Sequence, residues 1–167
     1  MQMDNLQELL IEEMKDIYNA EGQLLKALPR MAKKATNPKL KKAFEAHTRE
    51  TEGQIKRLEQ AFEKLGEKAK GKKCHAMEGL LEEGKEVMSE DMDEDVMDAA
   101  LIAAAQKVEH YEIATYGTVR TWASLMGLKD VERLLQQNLD EEGKTDKMLT
   151  QLAESEINLE AEQGASA

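Results

Sequence analysis

The sequence predicts an all-α protein, a four-helix bundle with a long crossover that contains an additional short helix. Three observations carry this reading. Apolar residues recur every three or four positions along most of the chain, the signature of one buried helical face. Ala, Leu, Glu, Lys, Gln and Met dominate, aromatics are only Phe 2, Trp 1 and Tyr 3, and no β-branched run occurs. Capping, proline and glycine signals then divide the periodic pattern into long, long, short, long and long segments.

The first helix is expected from about Asn5 to Ala35, with Leu6, Leu10, Met14, Ile17, Leu24 and Leu28 on its apolar face. Pro29 lies inside it and removes one backbone hydrogen bond, which predicts a kink or short irregularity near Leu25–Leu28. Asn37-Pro38 pairs an N-cap with proline at the first helical position and starts a second helix through Leu40, Phe44, Leu58 and Leu65 to about Gly66. Polar residues 67–73 form a connector, and Met77, Leu80, Leu81, Gly84, Val87 and Met88 mark a shorter helix of about four turns. The acidic run 90–95 suits the positive end of a third long helix carrying Met97, Leu101, Ala105, Val108, Val119, Trp122 and Met126, with Gly127 ending it. Val131, Leu135, Leu149 and Leu152 carry the fourth to about Ile157. Two tight hairpins joined by one long connection, able to run back along the bundle, give the ferritin-like topology.

With 167 residues the chain fits one domain, a bundle over 1–157 followed by a polar tail, 158–167, expected to fray. The net charge of −11, with Lys+Arg 23 scattered among Asp+Glu 34, argues against nucleic acid and anionic lipid as partners. No apolar stretch approaches the roughly 20 residues of a membrane span, and the acidic amphipathic start does not resemble a signal peptide. With Cys74 alone, no internal disulfide can form. The expected setting is a reducing cytoplasm.

Acid interrupts the apolar face of every long helix. Glu21 falls between Ile17 and Leu24; Glu50 follows His47 by one turn and precedes Gln54 by another; Glu109 and Glu112 share a face with Ala105 and Tyr116; Glu142 lies between Leu135 and Leu149. Distances along the chain from the two hairpin turns place Glu21 level with Glu50, and Glu112 level with Glu142, all near mid-bundle. Like charges crowded into a dry core raise one another's pKa, and cations resolve the conflict. Oxygen-rich ligands on four facing helices suit two ions of iron or manganese bridged by shared carboxylates. A polar layer of half-exposed, protonated or Lys- and Tyr-paired acids is the competing reading.

Tyr18 and Tyr116, one turn from Glu21 and Glu112, are candidates to hold those carboxylates. His75 and His110 read as surface or connector residues, Cys74 as an unreactive thiol, and the dispersed Met 10 as core filling. Met77, Leu80, Leu81, Val87 and Met88 spread over more than one side of the crossover helix, which predicts a homodimer.

The segments YNAEGQLLKALPRMA, HTRETEGQI, AMEGLLEEG, AALIAAAQKVEHYEIATYGT and LDEEGKTDKMLT resemble the bacterial YciF-type family of ferritin-like stress proteins over nearly the whole chain. The resemblance implies a ferritin-like fold, a homodimer, expression linked to stress and a di-metal site. The chain is similar at greater distance to rubrerythrin-type proteins, whose third-helix E-x-x-E matches Glu109 and Glu112. One departure stands out: where di-iron bundles carry Glu-x-x-His on the second and fourth helices, Gly53 and Thr145 occupy the histidine positions. His47 and Asp146 are the candidate substitutes, and the metal set expected is therefore Glu21, Glu50, Glu109, Glu112 and Glu142 with His47 and Asp146.

Overall fold

The structure, a computed structural model, describes residues 3–164. Helix α1 spans Leu6–Lys34 and is capped by Asn5, whose side chain accepts from the Glu8 amide at 2.9 Å. It continues without a break through Pro29, so the lost hydrogen bond does not interrupt the helix. Helix α2 spans Pro38–Lys64, with Asn37 accepting from the amides of Lys39 and Leu40. Gly66, at φ +71°, supplies the left-handed residue that ends it.

The crossover then turns back along α1. The Lys72 amide donates to Lys15 O at 3.1 Å and the Cys74 amide to Asn19 Oδ1 at 2.8 Å. A Cβ on Gly71 would stand only 3.1 Å from Asn19 Cβ, so glycine permits this close approach. Helix α3, His75–Ser89, packs along α1 and α4. Helix α4 spans Glu94–Leu125, with Asp93 capping its first turn, and Gly127 at φ +72° turns the chain into α5, Lys129–Leu152. Helices α1 with α2, and α4 with α5, form the hairpins, and α2 packs on α5 as α1 does on α4.

The helix faces read from the sequence form the core. Leu10, Met14, Ile17, Leu24 and Leu28 of α1 meet Leu40, Phe44 and Leu58 of α2, and Leu101, Val108 and Val119 of α4 meet Val131, Leu135 and Leu149 of α5; all are buried. Each such side chain contributes about 1.5–3 kcal/mol. At mid-bundle this oily core gives way to a buried polar layer of Glu21, His47, Thr51, Gln54, Glu109, Glu112, Asn138, Glu142 and Thr145.

One end of the bundle is tied by Asp98 of α4. Its buried carboxylate accepts from the Thr36 amide at 2.9 Å, the Thr36 hydroxyl at 2.7 Å and the Asn37 amide at 2.7 Å, fastening the α1–α2 turn to the start of α4.

Two further expectations change. Beyond α5 the chain does not fray at Ile157: a π turn, Ala153–Ile157, leads into α6, Asn158–Gly164, whose last residue lies beside Asp93. The buried Ala153 and Ile157 anchor this extension, and residues 165–167 of the expected tail lie outside the described residues. The crossover helix is also less exposed than its pattern implies. Met77 is fully buried, and Leu80, Leu81, Val87 and Met88 are half-buried against the core. Among the described residues no helix is long and apolar enough to cross a membrane.

Candidate metal centre

Every long helix delivers at least one polar side chain to the mid-bundle layer. On α1, Glu21 sits on the same face as Ile17 and Leu24 and is buried with them, its Oε1 accepting from the Tyr116 hydroxyl of α4. On α4, Glu109 and Glu112 are three residues apart and therefore share a face; on α5, Glu142 points inward between Leu135 and Leu149. On α2, His47 turns its ring into the bundle at 2 % exposure. His47, Glu109, Glu112 and Glu142 each place one potential ligand atom within 4.8 Å of all the others, and all four residues are buried.

His47 links this quartet to its surroundings. Its Nε2 stands 3.0 Å from Glu109 Oε1 and 3.6 Å from Glu142 Oε2, at ion-pair distance but without hydrogen-bond alignment. The opposite nitrogen, Nδ1, lies 3.3 Å from Glu50 Oε2, which also accepts from the Thr145 hydroxyl at 3.2 Å. Glu50 is therefore the rim of the cluster, its side chain 30 % exposed.

Electrostatics follow from this crowding. Burial pushes Glu21 up from 4.5 to about 7, although the Tyr116 hydroxyl that it accepts from pulls the other way. Burial, and then the neighbouring carboxylates, hold Glu112 and Glu142 well above the usual range. Burial would depress His47, but the Glu109 carboxylate and then Glu50 outweigh it and lift the imidazole to about 10. Glu50, bonded to that ring, is lowered. In the protein without metal this crowding favours the imidazolium of His47 and the protonated forms of Glu21, Glu112 and Glu142.

The donors are nonetheless too few. Glu112 Oε1 and Oε2, Glu21 Oε2, Glu109 Oε2 and Glu142 Oε2 are buried with no hydrogen-bond partner. A buried carboxylate oxygen without a donor is costly. The converging atoms of Glu109, Glu112 and Glu142, with the His47 imidazole among them, fit hard or borderline cations such as iron or manganese.

Asp146 is not part of this assembly. One residue beyond Thr145 on α5, it is turned about 100° away, and its Oδ1 meets His110 Nε2 at 3.2 Å and Gln106 Nε2 at 3.2 Å near the surface. Of the two tyrosines, Tyr116 holds Glu21, whereas Tyr18 donates to Glu59 at 2.9 Å and packs edge-on against Phe62. Cys74 is buried, caps α3 and lies 3.0 Å from the Tyr111 hydroxyl; burial raises its thiol, as suits an unreactive one. At the two positions lacking histidine, Thr145 serves Glu50, and Gly53 leaves room beneath the Arg57 guanidinium, 3.7 Å from where a Cβ would stand.

Sequence reasoning passed over Gln54, Asn138 and Arg57. Gln54 donates to Glu142, Arg57 bonds Asn138 and Glu141, and Asn138 Nδ2 reaches Gln54 O at 3.3 Å. The signal was present: Gln54 is seven residues after His47 and Asn138 four before Glu142, so both interrupt apolar stripes as the acids do.

Two antiparallel hairpins, one long crossover and a mid-bundle carboxylate layer with one histidine define a protein of the ferritin-like helical class. The chain belongs to the family described as a domain of unknown function, DUF892, whose profile matches residues 5–162. It is 48% identical to Protein YciF of Escherichia coli over 166 residues, 99% of this chain and 100% of that protein. The crystal structure of that E. coli stress protein superposes with a TM-score of 0.90, covering 93% of this chain and 99% of the other. YcfI of Rhodopseudomonas palustris, 45% identical, gives 0.87 over 89% and 95% of the two chains. A Xanthomonas campestris protein at 23% identity shares the fold, with a TM-score of 0.76 over 95% and 99%.

Proposed function

We propose that this is a ferritin-like stress-response protein that holds two divalent ions, iron or manganese, at mid-bundle, and that oxidises or sequesters Fe(II) or consumes peroxide there. The observation that carries the reading is the set of unpartnered buried oxygens on Glu21, Glu109, Glu112 and Glu142 around His47. The E. coli relative's description as a stress protein supports the cellular role. His47, Glu109, Glu112 and Glu142 would form the main ligand set, with Glu21 and Glu50 flanking it. A bound pair of redox-active ions would supply two electrons at one place, enough to reduce peroxide to water.

The protein's own groups have definite tasks in this scheme. Tyr116 and Gln54 each fix one oxygen of a carboxylate, Glu21 and Glu142 respectively, leaving the other open. Glu50 holds His47 by Nδ1, which aims Nε2 at Glu109 and Glu142. The proton on Nε2 occupies the position of a cation and must leave when one arrives. The apolar layers above and below keep bulk water from the cluster.

Loading with Fe(II) or Mn(II) after chelator treatment, followed by elemental analysis, tests the reading. The expected result is stoichiometric metal, released protons in weakly buffered solution, and a rise in melting temperature; metal at background level would show that the acids serve only as a scaffold. The homodimer and the reducing cytoplasm belong to the same proposal, supported by the half-buried apolar face of α3 and by the free thiol of Cys74. A solution mass of one chain at micromolar concentration would remove the dimer.

A further inference from the structure

The mid-bundle cluster is buried, and on the α2–α5 seam its contacts lead outward to charged, part-exposed side chains. Glu50 is 30 % exposed and touches His47 Nδ1; Glu141 is likewise 30 % exposed and is held by Arg57. Glu50 touches the cluster directly, and Gln54 stands between Glu141 and Glu142. Gln54 is fully buried, its Nε2 donates to Glu142, and its Oε1 has no partner. Thr51, also fully buried on α2, has an unpartnered hydroxyl as well. The seam thus runs from acid at the surface through unpartnered neutral oxygens to the acids of the centre. On the opposite side, Glu21 is closed off by Tyr116, which is completely buried.

We propose that the α2–α5 seam is the route by which a divalent cation reaches the centre, with Glu50 and Glu141 as the mouth, Gln54 Oε1 as an intermediate oxygen, and the Arg57–Glu141 ion pair as the latch. The inference rests on the metal-centre reading and adds to it the path and the residues that govern uptake. Two carboxylates at the mouth raise the local concentration of cations, whereas a hydrated ion passing a dry seam needs oxygen atoms to replace its lost water. Gln54 offers such an atom without adding charge that would trap the ion there. The guanidinium of Arg57 opposes a cation directly and neutralises Glu141 while paired with it. Its anchor on Asn138, which itself bonds the Gln54 carbonyl, couples the latch to the backbone beside the intermediate oxygen.

The experiment is stopped-flow loading of full-length, chelator-treated protein with Co(II), whose visible spectrum reports occupancy, alongside equilibrium titration. Glu141→Gln should slow association by about threefold or more at low salt, and release by a similar factor, so that the dissociation constant moves little. Arg57→Gln should speed association. Glu59→Gln, the same change of charge on the α1–α2 face where Tyr18 donates to Glu59, should load at the wild-type rate. The differences should shrink as salt is added. If Glu141→Gln and Glu59→Gln slow loading equally, or neither does, the seam is not the route. A fall in affinity for Glu141→Gln with an unchanged association rate would make Glu141 a ligand and also overturn the proposal. Wild-type protein that takes up no Co(II), Fe(II) or Mn(II) fails at the earlier step, where the metal-centre reading falls and the route falls with it.

Discussion

Asp98 and Glu112 are both buried acids on α4, four turns apart on one helix, and they are built in opposite ways. Asp98 receives two backbone amides and a hydroxyl, all at 2.7–2.9 Å, whereas neither oxygen of Glu112 has any hydrogen-bond donor. Burial alone therefore does not distinguish an acid that closes a turn from a candidate ligand; the donors do. A carboxylate that closes a turn is surrounded by N–H and O–H groups, and one that awaits a cation is left with open lone pairs.

The largest effect expected from this contrast is at Asp98. Asp98→Ala removes a buried carboxylate that accepts three hydrogen bonds from the α1–α2 turn, and should lower stability by about 4 kcal/mol in chemical denaturation, with or without metal. A change below about 1 kcal/mol would remove the distinction. Next comes the response of metal-free protein to pH. Glu21 is raised from 4.5 to about 7, so its contribution to stability is complete below pH 4.5 and is lost as the pH climbs toward about 7. The full span corresponds to about 3 kcal/mol at most, and Glu21→Gln should flatten it. His47, raised from 6.5 to about 10, adds a second decline over that higher interval. Stability that rises between pH 5 and 7 would contradict the assignment for Glu21.

Glu112→Leu should act in the direction opposite to Asp98→Ala, raising the metal-free stability by about 2 kcal/mol because no donor loses a partner. The same substitution should erase the gain from added Fe(II) or Mn(II), which in wild type reaches about 3 kcal/mol at 100 times the dissociation constant. Thermal melts of both proteins with and without metal give the comparison, and a destabilised Glu112→Leu variant would class this residue with Asp98. The smallest effect is expected at Thr145. Thr145→Val removes one hydrogen bond to the half-exposed Glu50 and should cost about 0.5–1 kcal/mol, leaving metal stoichiometry unchanged by elemental analysis.

Much of this arrangement is legible in the sequence because helix geometry is regular. Asn5, Asn37-Pro38 and Gly127 mark helix ends by local chemistry, and a charge at a stripe position, as at Glu21 or Glu142, must be buried if the stripe is. Residues one position off a stripe are harder to read. Thr145 and Asp146 differ by about 100° of rotation, and sequence alone chose Asp146 where the fold turns Thr145 inward. Asp98, three residues beyond the acidic run 90–95, carries no sequence signal of its own, since nothing local shows that the α1–α2 turn will arrive beside it from 61 or 62 residues away. The same holds for Gln54 and Arg57, whose partners on α5 are more than 80 residues distant. Local signals set the helices and faces, and only packing sets which polar groups meet.

The π turn at Ala153–Ile157 has a consequence for how the chain can vary in length. A π turn holds close to one residue more than an α turn, so it behaves as a single-residue insertion absorbed inside a continuous helix. Removing one residue there would let the segment rewind as α-helix while the residues after it keep nearly the same phase. The side that α6 turns toward Asp93 would therefore be retained. The mid-bundle acids, at least ten residues upstream, would keep their phase. The π turn is thus a point of slack, where one residue can be gained or lost while the helix on either side keeps its face.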